Sequence, residues 1–224
     1  MPWALYHGPE GNIGRVLLAC AAMTRPKLTY FDMPVSRGEE CRLAFAIACA
    51  DFEDHRLPRE EWPALKPTTP FGALPMLEVP GHASIAQSNA ILMYIGRRYG
   101  VHPTDLVEAA RHEAVMAHVE DLRAIVALTG RNVDEATRQR AREQIAATTI
   151  PSWAGFVEAQ IGDGPFYAGE RPMVVDVKLY MGMRTFRRGV MDHIPTTVFD
   201  PFPKLIRLYD AFEAHGPVKA WIAR

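Results

Sequence analysis

The sequence predicts an α/β domain joined to an all-helical one, on three observations. A strand-like alternation at Lys27–Phe31 is followed by a helix-like run and then by a second strand-like stretch at Phe52–Arg56, the order of a βαβ unit whose crossover is long enough for a parallel pair. Met76–Val79 and Ser84–Ala86 are two short strand candidates on either side of Pro80-Gly81, a turn signal that licenses an antiparallel hairpin. From Thr104 onward the chain reads as helices separated by turns.

Each element has a local reason. The run Gly38–Cys49 has helical composition, with Leu43 and Ile47 four apart on one face. Ser88 opens the helix that runs on to Arg98 as its expected N-cap, because a serine hydroxyl can accept one of the orphan first-turn N–H groups. The linker Gly100-Val-His-Pro103 is short, so the two domains, 27–101 and 104–224, are expected to pack against each other. Within the second domain, breaks are expected near Gly130-Arg-Asn, Ile150-Pro151, Gly162-Asp-Gly-Pro165, Ile194-Pro195 and Gly216-Pro217. Neither an internal repeat nor a low-complexity tract is present.

Composition narrows the class of function. At 224 residues, 48% hydrophobic and 23% charged, the chain can form one large or two modest cores. Its 25 basic and 26 acidic residues are mixed along the chain and sum to a net charge of −1, which steers it neither to nucleic acid nor to an anionic membrane. Apolar runs such as Val16–Cys20 fall far short of the roughly 20 residues that span a bilayer. The start lacks the basic flank of a secretory signal. Cys20, Cys41 and Cys49 form neither a CxxC pair nor a metal-ligand spacing, usage that fits a reducing compartment. A cytoplasmic protein with a small ligand and no metal is expected.

Two motifs carry a resemblance. Pro70-Phe-Gly-Ala-Leu-Pro75, preceded by Trp62 and Lys66, is followed by Gln87-Ser-Asn-Ala-Ile91. This stretch closely resembles the glutathione-binding half of cytosolic glutathione transferases, whose Pro-Phe-Gly-x-Leu-Pro and Gln-Ser-x-Ala-Ile signatures stand at this spacing before a helix. The resemblance covers residues 27 to 224, is strong to about residue 100 and is looser beyond. It implies a thioredoxin-like first domain of βαβββα order, an all-α second domain that supplies the other substrate's pocket, and glutathione as co-substrate. Residues 1–26 have no counterpart in the family pattern.

The implied roles agree with elementary chemistry. A cis bond at Leu74-Pro75 would turn the Leu74 backbone toward the cysteinyl backbone of glutathione, in the manner of an added strand. Gln87 and Ser88 stand where a strand meets a helix N-terminus, a place that favours the γ-glutamyl carboxylate. The indole N–H of Trp62 and the ammonium of Lys66 suit the glycyl carboxylate. Phe31, Arg37 and Ala73 complete the binding set, although many relatives carry Gln or Lys where Ala73 stands.

Tyr30 matches the tyrosine of the Leu-Thr-Tyr-Phe opening in the sigma-like branch. Taken alone, a strand tyrosine is more often a core aromatic. In the family role, its hydroxyl donates to the sulfur of glutathione and lowers a thiol pKa of about 8.5, each unit being about 1.4 kcal/mol.

The later helix carries Ala110, Ala114, Ala117, Asp121, Ala124 and Leu128 as one stripe of mainly small side chains. The resemblance implies a homodimer in which Asp121, or Glu120, reaches the partner's glutathione; a solvated face beside Arg123 is the alternative. At Met173-Val-Val-Asp176 the family's Ser/Thr-x-x-Asp cap lacks its hydroxyl, a loss of up to about 1 kcal/mol. The expected activity is conjugation of the glutathione thiolate to small hydrophobic electrophiles. A glutathione-dependent isomerase or peroxidase of the prostaglandin D synthase kind, and a non-catalytic protein of the same fold, are the alternatives. Tyr180, Met181, Met183, Arg184, Phe186 and Arg187 are candidates for the second substrate's pocket.

Overall fold

The computed structural model describes residues 25–224; Cys20 and nearly all of the unmatched leading segment lie outside them. The first half runs β1 (Lys27–Phe31), α1 (Ser36–Ile47), β2 (Glu53–Leu57), α2 (Trp62–Leu65), β3 (Met76–Glu78), β4 (Ile85–Ala86) and α3 (Ser88–Tyr99), with 3-10 turns at Arg59–Glu61 and Lys66–Thr68 flanking α2. Strand order is β2-β1-β3-β4. β1 is parallel to β2 and antiparallel to β3, which pairs antiparallel with β4. This is the thioredoxin-like arrangement, and its central strand explains its own sequence: Leu28, Thr29 and Tyr30 are buried in succession because both faces of the strand are covered.

Helix α1 is buried almost all round from Gly38 to Phe45, since it touches α3 and two helices of the second domain as well as β1. That is why its apolar periodicity is weak in the sequence. Its Arg42 is fully buried and is satisfied on every side. Nε donates to Asp54 at 2.8 Å, Nη1 to the Met33 carbonyl at 3.0 Å and Nη2 to the Phe31 carbonyl at 3.3 Å. One buried guanidinium thus ties down the loop that leaves β1.

The second half is helical: α4 (Leu106–Leu128), α5 (Glu135–Ala147), α6 (Thr149–Glu158), α7 (Val174–Arg187), α8 (Pro203–Ala214) and α9 (Gly216–Ile222). Asp105 caps α4, accepting from the N–H groups of Val107 and Glu108, both at 3.0 Å. The break expected at Ile150-Pro151 falls instead at Thr148, and Pro151 sits in the first turn of α6, where its missing N–H is not needed. Ser88 is the first residue of α3 and Gln87 its N-cap, one residue from the expected position. At α7 only half of the capping box forms: Asp176 accepts from the Met173 and Tyr167 N–H groups at 2.8 and 2.7 Å, while the Met173 side chain caps nothing. Burial pushes the Asp176 carboxyl up to about 7 against those two donors.

A single apolar core runs from Leu28, Phe45 and Leu77 in the first domain to Tyr180, Leu208 and Phe212 in the second, so the domains share one interior. Helix α4 buries Val115, Met116, Val119, Leu122 and Val126 and leaves the stripe Ala110, Ala114, Ala117, Asp121, Ala124 and Leu128 exposed in the single chain. No described helix is long and apolar enough to cross a membrane.

Candidate functional site

Sheet register gathers most of the expected site at one end of the sheet. Thr29 lies opposite Met76, and Met76 opposite Ala86. Tyr30 and Phe31 follow Thr29 along β1, Leu74 and Pro75 lead into Met76, and Gln87 follows Ala86, so all of them leave their paired strands at the same end of the sheet. The Leu74-Pro75 bond is cis. Outside the strands, neither backbone polar group of Leu74 pairs with another described backbone group. Gln87 holds a positive φ of 72° and α3 has no side-chain cap, so its first-turn N–H groups face this end of the sheet uncapped.

Tyr30 is seated by a glycine. Its ring lies so close over Gly38 that a Cβ built there would fall 2.0 Å from Cδ1 and 2.2 Å from Cγ, so only glycine permits the pose. The Arg42 guanidinium stands 5.9 Å from the ring centroid. The tyrosine hydroxyl has no side-chain or backbone partner among the described residues. Phe31 continues the aromatic row, edge-on to Tyr30 at 5.7 Å and to Trp62 at 5.8 Å between centroids. Lys66 is exposed, with its stem beside Gly72 (φ +59°), at the entry to Ala73 and Leu74.

Behind the site lies a charge network that sequence reading missed. Lys178 of α7 is fully buried and donates to Glu40 at 2.9 Å, to Glu120, and to the Ser88 hydroxyl at 3.4 Å. Arg123 pairs with Glu40 and with Glu120, the latter at 2.9 Å. Arg37 closes the set on Glu120 at 2.6 Å. Burial would raise the Glu120 carboxyl, but Lys178, Arg123 and Arg37 outweigh it and hold the group down at about 2. The only trace in the sequence is a lysine inside the apolar run Val174–Met183.

The two acids expected to cross to a partner therefore differ. Glu120 is engaged inside its own chain by three cations, which corrects it as a group free to reach outward. Asp121 is 75% exposed in its side chain and, among the described residues, has His118 alone as a charge partner, at 3.7 Å. Neither joins the residues around Tyr30 directly, but Glu120 is linked to Ser88 through Lys178.

A cleft of about 790 Å³ opens between the loop Pro34–Arg37, the last turns of α4 and the second half of α7. Met181, Arg184 and Phe186 line it. Tyr180 and Met183 are instead fully buried core, and Arg187 lies over the Tyr209 ring at 4.6 Å. Among the described residues, one group of potential metal ligands exists, Glu135, Asp192 and His193. Arg138 and Arg142 pair with its two acids, which gives a cation nothing to neutralise. The Cys41 thiol is pushed far up by burial, so it offers no nucleophile.

Comparison with known proteins agrees with this geometry. The glutathione S-transferase N-terminal domain model matches residues 26–97 and the C-terminal domain model matches residues 120–224. The hematopoietic prostaglandin D synthase of Gallus gallus is 32% identical over 202 residues, 90% of this chain and 97% of that protein. Glutathione S-transferase 1 of Ascaris suum is 48% identical over 102 residues, 46% of this chain and 48% of that one. Among solved structures, prostaglandin synthase D of Nilaparvata lugens superposes with a TM-score of 0.78 at 27% identity, covering 89% of this chain and 98% of that one. With both domain models matched in order and a relative this similar over nearly its whole length, the chain belongs to the glutathione S-transferase family, close to its sigma-like, prostaglandin D synthase-like branch.

Proposed function

We propose that this chain is a glutathione-dependent enzyme in which the Tyr30 hydroxyl donates a hydrogen bond to the sulfur of bound glutathione and keeps it a thiolate. The observation that carries the reading is the seat of Tyr30 on Gly38, which holds a hydroxyl with no partner among the described residues at the end of the sheet where Leu74-Pro75 enters β3 and Gln87 leaves β4. Leu74 takes the cysteinyl backbone. The uncapped start of α3, with Gln87 and Ser88, takes the γ-glutamyl carboxylate. Trp62 and Lys66 take the glycyl end, with Phe31 and Ala73 forming the walls and Arg37 ordering the loop.

Two chemistries start from such a thiolate. Isomerisation of the prostaglandin D synthase kind is favoured by likeness over nearly the full length of the chicken and planthopper proteins. Conjugation to a small apolar electrophile is the second reading, and the 48% identity to the Ascaris transferase favours it. Glutathione bookkeeping separates them, because an isomerase returns its thiol each turnover and a transferase loses one per product. The exposed stripe on α4, with Asp121 in it, further supports a homodimer in which Asp121 serves the partner's glutathione. Sedimentation at the mass of a single chain would sink that part.

The deciding experiment is the ultraviolet absorbance of the thiolate across pH, with glutathione bound to the wild type and to Tyr30→Phe. The wild-type midpoint is expected about two units below the free thiol, and the variant's at least about one unit higher than the wild type's. Identical midpoints in a folded variant overturn the role of Tyr30.

A further inference from the structure

The charge network behind the Tyr30 end of the sheet is short of negative charge. Lys178, Arg123 and Arg37 stand against Glu40 and Glu120, three cations to two carboxylates. Neither acid belongs to Lys178 alone, because Glu40 also serves Arg123 and Glu120 also serves Arg123 and Arg37. Lys178 and Glu40 are fully buried, so water does not make up the difference at the lysine. The third group that its ammonium reaches is neutral, the Ser88 hydroxyl at 3.4 Å.

That contact gives the hydroxyl a direction. An ammonium only donates, so toward Lys178 the Ser88 oxygen acts as acceptor and its own proton is turned away from the lysine. The proton meets no acceptor among the described residues. Ser88 is not occupied as a cap either: it is the first residue of α3, the N-cap is Gln87, and no side chain caps that end. A buried hydroxyl that would otherwise rotate is thus fixed by the lysine, with its hydrogen left for an acceptor that arrives from outside.

We propose that Lys178 is a positioning residue for the γ-glutamyl carboxylate: it aims the Ser88 hydroxyl at that group, and the carboxylate supplies the negative charge that the network lacks. The inference rests on the glutathione reading above, since it takes Ser88 as the γ-glutamyl contact. Lys178 does not touch the ligand. It acts through Ser88, and Glu40 and Glu120 set how much of its charge is left to act. Helix α7 of the second domain thereby takes part in holding a ligand that the first domain binds.

Titration calorimetry with two peptides tests it: glutathione, and 4-aminobutanoyl-cysteinylglycine, which is glutathione without the γ-glutamyl carboxylate. The wild type is expected to prefer glutathione at least about tenfold. Lys178→Gln should cut that ratio below about threefold, whereas Glu120→Gln, which leaves Lys178 with less counter-charge, should raise it at least about threefold above the wild type's. Damage to the fold does not move the two variants in opposite directions. In a Ser88→Ala background Lys178→Gln should alter the ratio by less, and an undiminished effect there overturns the route through Ser88. A wild-type ratio in folded Lys178→Gln overturns the proposal. So does a ratio that Glu120→Gln leaves unchanged or lowers, whether or not Lys178→Gln folds. The two layers fail differently: no heat from glutathione with the wild type removes the glutathione reading, whereas a wild type that prefers glutathione, with variants that do not move the ratio, removes the role of Lys178 alone.

Discussion

The end of the sheet and the helical half, the two walls of this comparison, present polar groups by different means. On the sheet side the presenting groups are largely backbone: Leu74 around a cis proline, and the first turn of α3 after Gln87. Their positions are set by the backbone, at the cis Leu74-Pro75 bond and the positive φ of Gln87, so they tolerate side-chain changes such as Ala73. On the helical side they are side-chain cations, Lys178, Arg123 and Arg184, buried in or against the core. The first wall depends on hydrogen-bond geometry that many sequences share, while the second depends on each charge having its partner.

The largest expected effect lies in the buried network. Lys178→Met should destabilise the protein by about 3 kcal/mol, because it leaves Glu40, fully buried, and Glu120 with fewer cations than they need. A denaturation midpoint equal to the wild type's would mean that the network does not bind the two walls together.

On the helical side His112 and Asp176 pull in opposite directions as pH falls, since burial raises the Asp176 carboxyl to about 7 and its protonation favours the folded state. His112 is fully buried, with neither ring nitrogen hydrogen-bonded, and burial, followed by the neighbouring His102, lowers it to about 4. A histidine depressed in the folded state binds its proton more readily when unfolded. Its contribution is therefore intact above about pH 6.5 and lost as pH falls toward 4, up to about 3 kcal/mol. Glu120, held at about 2, loses its contribution only below about pH 4.5. His112→Phe should gain stability relative to the wild type between pH 6.5 and 4; a difference between the two that stays constant across that range would remove His112 as a source of acid sensitivity.

Gly38→Ala probes the sheet wall. The added Cβ meets the Tyr30 ring at 2.0 Å, so the ring must move, at a cost of about 1–3 kcal/mol. The thiolate midpoint should rise as it does for Tyr30→Phe, and a normal midpoint would show that the glycine seat is not what aims the hydroxyl. The smallest effect is expected at α7, where Met173→Thr supplies the missing half of the capping box and should add up to about 1 kcal/mol. At this chain length that is a rise of about 2–4 °C in Tm.

The sheet wall was legible because its information is local. Pro-Phe-Gly-Ala-Leu-Pro and Gln-Ser-Asn-Ala-Ile each encode a turn and the element that follows it, and the strand at Lys27–Phe31 was read to the residue. The break expected near Ile150-Pro151 falls at Thr148, with Pro151 opening the next helix, because proline ends a helix or begins one and sequence does not say which. The charged wall was not legible. Glu120 and Asp121 are adjacent and chemically alike, yet one faces three cations and the other faces solvent.

The sequence by itself determined the order of elements, the cis-proline turn, the helix start at Gln87-Ser88 and the tyrosine at the end of the first strand, since neighbouring residues set those features through backbone dihedrals and periodicity. Only the tertiary structure decided which charges are spent and which stay free. Lys178 meets Glu40 across 138 residues and Arg184 meets Pro34 across 150, and whether a buried cation finds its acid depends on how helices pack, a long-range outcome that spacing along the chain does not encode.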